Sequence, residues 1–211
     1  MVQEATLVDW IWGESPPSAT TNALHATDPD ELAVFSGSVD LESDELVETA
    51  VADAHVSEDL DDPIDGANDW ALLLLDAPVD VEPITVDQDP AEFETLETAG
   101  WGETGEGYPT VAEWVEVPFV DDEACSDAYP GEFDDESMLR AGDLENGGVD
   151  SCDGDSGGPL MAPAEDGGQI LVGIVSWGDG CAQPGSPGVY AEVADFNDPI
   201  EEAIEDWEDG E

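Results

Sequence analysis

One arginine, no lysine and 56 aspartates and glutamates give this chain a formal net charge of −55, an imbalance that limits what it can fold into. Self-repulsion on this scale opposes compaction in dilute buffer. It also matches one half of the composition of a disordered chain. A folded state therefore depends on apolar runs, and these are present. The segments Trp70–Leu75, Val115–Val120 and Ile170–Trp177 are apolar or alternating, with turn residues at their ends, as strands are. At about 1 M salt the Debye length falls to roughly 3 Å, which screens most of the repulsion. The composition thus reads as salt adaptation, with deliberate supercharging as the competing explanation. Nucleic acid is excluded as a partner, because phosphate binding needs the cations this chain lacks.

Further strand-like runs are Leu32–Phe35, Leu96–Trp101, Val111–Val120 and Gly188–Val193, while Asp59–Gly66 and Gly102–Gly107 read as loops. The pattern is all-β, a sandwich or barrels. Only the end reads as a helix: Asp198-Pro199 opens a segment with apolar residues at 200, 203, 204 and 207. No apolar run approaches a membrane span and no signal peptide is visible, so the chain reads as soluble, with no membrane partner. Acidic loops such as Asp59–Asp69 could hold Ca²⁺ but lack the spacing of a dedicated site, and a solvated face is their default reading. No metal site is assigned.

The most specific string is Asp150-Ser-Cys-Asp-Gly-Asp-Ser-Gly-Gly-Pro159. A serine needs a neighbouring base to become a nucleophile, and backbone N–H donors aimed at the developing oxyanion. Glycines on both sides of Ser156 let the backbone turn tightly enough to offer the Gly154 and Ser156 amides to one point. With Asn68–Val79, Ala99–Gly102, Val117–Val120, Ile174–Gly178 and Pro187–Tyr190, this string resembles the trypsin-like (chymotrypsin-fold) serine proteases, especially the bacterial trypsins of actinobacteria. The resemblance runs from about Ala23 to the C-terminus.

The resemblance implies two antiparallel Greek-key β-barrels with a C-terminal helix over the second, residues 1–83 forming the first barrel and 84–211 the second. It implies a triad of His25, Asp69 and Ser156, in the family's order, with Gly154 and Ser156 as the oxyanion hole. His55, the other histidine, reads as an ordinary loop residue. Asp150, six positions before the nucleophile, would lie at the base of the primary pocket and pair with an Arg or Lys side chain of a protein or peptide substrate. Ser151, Ser176, Trp177, Gly178 and Gly188 complete the implied substrate site. Cys152 and Cys181 match a family disulfide, whereas the partner expected for Cys125 is replaced by Arg140 and a further family cysteine by Ala26, leaving Cys125 a free thiol. No cofactor is required; the expected state is a monomer and the expected location extracellular.

The first residues depart from the pattern. Active members begin at an Ile-Val-Gly-Gly type N-terminus whose amino group pairs with the aspartate before the serine, here Asp155, and nothing in Met1–Gly13 reads as that sequence. Either the first barrel is abbreviated or the sequence begins inside a longer protein. A lone buried Asp155 would be costly. The competing function is a trypsin-fold binding module without a competent site.

Overall fold

The computed structural model describes residues 5–6, 29, 32–86, 90–121, 128–164 and 167–209. Among these residues the fold is almost entirely β, with one helix at the end. In the first half, β1 (Ala5–Thr6), β2 (Ala33–Ser36), β3 (Val47–Val56) and β4 (Ala71–Leu75) form an antiparallel sheet in the order β1-β4-β3-β2. The leucine run of β4 supplies its core: Leu73 and Leu75 pack with Leu32, Val34 and Val51.

In the second half, β6 (Thr95–Gly100), β7 (Glu113–Val120), β8 (Met138–Ala141), β9 (Pro159–Pro163), β10 (Gln169–Trp177) and β11 (Gly188–Glu192) run in the order β11-β8-β7-β6-β9-β10. Pairing of β10 with β11 closes these six strands into an antiparallel barrel. The short strand β5 (Thr85–Val86) adds to β10 in parallel. The barrel interior is filled by Leu96, Val117, Leu139, Leu160, Val172 and Tyr190, all almost completely buried. Each such side chain contributes roughly 1.5–3 kcal/mol of burial. Gly173 is needed at the centre, since a Cβ there would sit 3.2–3.3 Å from Tyr190, Leu139 and Leu160.

The all-β expectation with a terminal helix is met, and the helix α1 (Asn197–Asp209) takes in the segment read from its apolar spacing. Its placement differs in one respect. Rather than covering only the second barrel, α1 lays Ile200, Ala203, Ile204 and Trp207 against Ala191 and Phe196 and also against Trp70 and Leu72 of the first half. The Trp207 indole N–H donates to Asp53 of β3 at 2.9 Å. His55, read as a loop residue, lies in β3 instead, stacked on Trp70 with ring centres 5.7 Å apart. The strand's alternation is carried by Thr49 and Val51 alone, which hid it among acids and alanines.

Candidate active site

The strand β10 supplies one of the connections between the halves. Its pairing with β11 slips between Val175 and Trp177, so Ser176 is the extra residue of a bulge. Bulges re-aim a side chain, and here the Ser176 hydroxyl donates to Asp69 Oδ2 at 2.6 Å across 107 residues of sequence. Burial pushes the Asp69 carboxyl up to about 6, against the lowering effect of that hydrogen bond, with a smaller upward push from Asp61. The same stretch of β10 holds the turn that carries Ser156. The Gly157 N–H donates to the Val175 carbonyl at 2.9 Å, and the Val175 N–H donates to the Gly158 carbonyl at 2.9 Å. Asp69 and the Ser156 turn are thus brought to neighbouring residues of one strand. His25, Ala26 and Cys125 lie outside the described residues.

The turn is a run of short backbone closures. The Asp155 N–H donates to the Cys152 carbonyl and the Gly158 N–H to the Asp155 carbonyl, with Ser156 and Gly157 between. Gly154 and Gly157 adopt φ of +94° and +85°, a region side chains rarely enter. Asp155 is where the structure answers the concern raised by the sequence. Its carboxylate accepts the Gly102 N–H at 2.8 Å and the Cys152 N–H at 3.0 Å. Burial pushes its pKa up, and these two amides pull it down. A Cβ on Gly100 or Gly102 would come within 2.1–2.3 Å of the Asp155 carboxylate, so both glycines are required for this seat. In the sequence this seat shows only as Gly100-Trp-Gly102, two glycines separated by one residue at the end of a strand.

Below the turn, Asp150 accepts the Ser151 N–H at 2.9 Å and the Ala182 N–H at 3.0 Å. Burial pushes it up to about 6 in spite of these amides, with a further upward push from Asp155. Gly188 faces it: a Cβ there would lie 2.4 Å from Asp150 Oδ1. A Cβ on Gly178 would lie 3.3 Å from the Gly180 carbonyl oxygen and 4.0 Å from the Gly188 Cα. Ser151 Oγ and Tyr190 Oη are 3.2 Å apart beside the carboxylate. Trp177 lies edge-on to Tyr129 at 4.9 Å, and Tyr129 in turn donates to the Pro187 carbonyl. Cys152 and Cys181 are bonded to each other, tying the segment before the serine turn to the β10–β11 loop. Closing such a loop contributes about 3 kcal/mol in the chain-entropy account.

Behind the turn is a cavity of ≈ 470 Å³ between β6 and β7 and the segment carrying Asp150, lined among others by Gly102, Trp114, Asp150 and Asp155. Among the described residues, one cluster has metal-ligating side chains close together, namely Cys152, Asp153 and Cys181, and its sulfurs are spent on the disulfide. No helix among the described residues is long and apolar enough to cross a membrane.

A closed six-stranded antiparallel barrel with a second β sheet beside it and a tight Gly-Asp-Ser-Gly-Gly turn define the class of the chymotrypsin-fold serine hydrolases. Comparison with known proteins agrees. The family model described as Trypsin matches residues 21–200. The chain is 38% identical over 177 residues to a trypsin-like protease of Streptomyces glaucescens, covering 82% of this chain and 64% of that one. It is 36% identical over 197 residues to a trypsin of Saccharopolyspora erythraea, covering 89% and 83% respectively. Against trypsin-1 of Astacus astacus the identity is 41% over 179 residues, covering 79% and 73%. The chain belongs to the trypsin family of serine endopeptidases.

Proposed function

We propose that this chain hydrolyses peptide bonds after Arg or Lys through an acyl-enzyme. Ser156 attacks the carbonyl, His25 takes its proton and returns it to the leaving amine, and Asp69 orients His25. The amides of Gly154 and Ser156 hold the oxyanion. The observation that carries the specificity reading is Asp150, a part-buried carboxylate that accepts the Ser151 and Ala182 amides and lines the cavity beside the serine turn. A guanidinium or ammonium that reaches it finds a charged, hydrogen-bonded partner. The Ser176–Asp69 hydrogen bond supports the triad reading, since it holds one member beside the strand that anchors the serine turn.

The same reading takes residues 1–83 and 84–211 as the two barrels of one peptidase, working as an extracellular monomer. The net charge of −55 supports adaptation to high salt. The test is cleavage of a chromogenic Arg-anilide in concentrated salt, beside a Phe-anilide and a Ser156→Ala control. Turnover by the wild type alone, with Arg preferred over Phe, is the expected result. A folded protein that cleaves neither substrate overturns the proposal in favour of a binding module.

A further inference from the structure

Arg140 is the one Lys or Arg side chain among 211 residues, so it is the one place where a protease of the proposed specificity could cut another copy of itself. Hydrolysis there would add water across the Arg140–Ala141 bond, leaving a carboxylate on Arg140 and an amine on Ala141. The position of that bond in the fold is what matters. Arg140 is 1% exposed and Ala141 completely buried, although arginine is among the residues least often found inside a protein. Its guanidinium carbon lies 3.5 Å from the centre of the Phe133 ring. The strand that carries it, β8, has no free edge at this point: Arg140 is opposite Val120 of β7 on one side and Val189 of β11 on the other.

A protease of this kind takes its substrate as an extended segment laid along a strand edge, with the side chain before the bond inserted in the pocket. Arg140 can satisfy neither requirement while the barrel is closed. Offering the bond means detaching β8 from both neighbours and exposing Met138 and Leu139, which are 1% and 2% exposed. Opening of that extent belongs with global unfolding, not with local fraying. The exposed connections that are usually nicked first, such as 80–84 between the halves, hold no cation at all.

We infer that the folded enzyme is refractory to self-cleavage, and to any other protease of Arg/Lys specificity, because its single scissile bond lies in a barrel strand paired on both sides, with the Arg140 side chain buried on that strand's outer face against Phe133. This rests on the proposed Arg/Lys specificity. The test follows the intact mass of the concentrated enzyme while it turns over an Arg peptide in the same tube. The wild type is expected to stay whole, whereas Asp80→Arg, which puts an arginine in the exposed connection, is cut at Arg–Val81 at a rate that rises with enzyme concentration. Heat-unfolded Ser156→Ala chain added to active wild type is expected to be cut at Arg140–Ala141. The inference is overturned if the folded wild type accumulates fragments ending at Arg140. It is equally overturned if Asp80→Arg stays whole, or the unfolded chain resists, while the Arg peptide is consumed. Fragments ending at residues other than Arg remove the specificity reading instead, and are told apart by their C-termini.

Discussion

Two carboxyls at the site, Asp69 and Asp150, have been lifted by burial from the usual 3.8 to about 6. Each is stabilised in its protonated form by the fold, so the pair favours the folded state below about pH 4 and that contribution is lost as pH rises from 3.8 to 6. Function has the opposite sign. In its proposed role Asp150 must be ionised to hold a cationic side chain, so binding is expected to weaken as pH falls through its folded value. The ratio of kcat/KM for an Arg substrate to that for a Phe substrate cancels the titration of the triad and isolates Asp150. That ratio is expected to be flat above about pH 7 and to fall towards tenfold per pH unit below about 6. A ratio constant down to pH 5 would mean that Asp150 does not read the substrate.

At the scale of elements, the loop after β6 and the serine turn act as one unit. Besides the Gly102–Asp155 contact, the Glu103 N–H donates to the Asp153 carbonyl at 2.9 Å. Gly102→Ala would put a methyl group 2.3 Å from the Asp155 carboxylate. Asp155 would have to swing out and take the Gly154 and Ser156 amides with it. Loss of aligned oxyanion donors costs about 10²–10³ in kcat, and on the proposed role of the Gly154 and Ser156 amides this variant is expected to lose that much while its far-UV circular dichroism keeps the β signature. The strands themselves were unevenly legible. Ile170–Trp177 announced β10 by β-branched density. By contrast β8 and β9 were missed, one because its four buried residues include the arginine, the other because prolines stand at both ends.

Over the whole molecule, the described residues of the two halves meet through the Ser176–Asp69 hydrogen bond, the packing of α1 on both Trp70 and Ala191, the packing of Ile64 and Ala67 with Tyr129, Met138 and Val189, and a bridge between Asp40 and Val111. Against them stands the self-repulsion of 56 acidic side chains with one buried Arg to offset it. Repulsion between exposed charges is screened by salt, while apolar burial is not weakened by it. The thermal midpoint is therefore expected to climb by 10 °C or more between 0.1 M and about 2 M KCl, most of it below about 1 M, where the Debye length shrinks to roughly 3 Å. A midpoint independent of salt, read by calorimetry, would remove salt adaptation as the explanation for the composition.

What the sequence determined by itself is local: the ten-residue turn around Ser156, the apolar runs of β4, β6, β7, β10 and β11, and the helical spacing of α1. Each is set by neighbours a few residues apart, where backbone preference and side-chain period decide. The pairing of Cys152 with Cys181 came from resemblance and is present in the fold. Only the tertiary structure decided who partners the charged groups. Ser176 reaches Asp69, Gly102 seats Asp155, and Arg140 is buried against Phe133 on the outer face of β8 because segments distant in sequence close on one another. No periodicity records such pairings, since the free energy of burying a charge depends on which atoms surround it after closure.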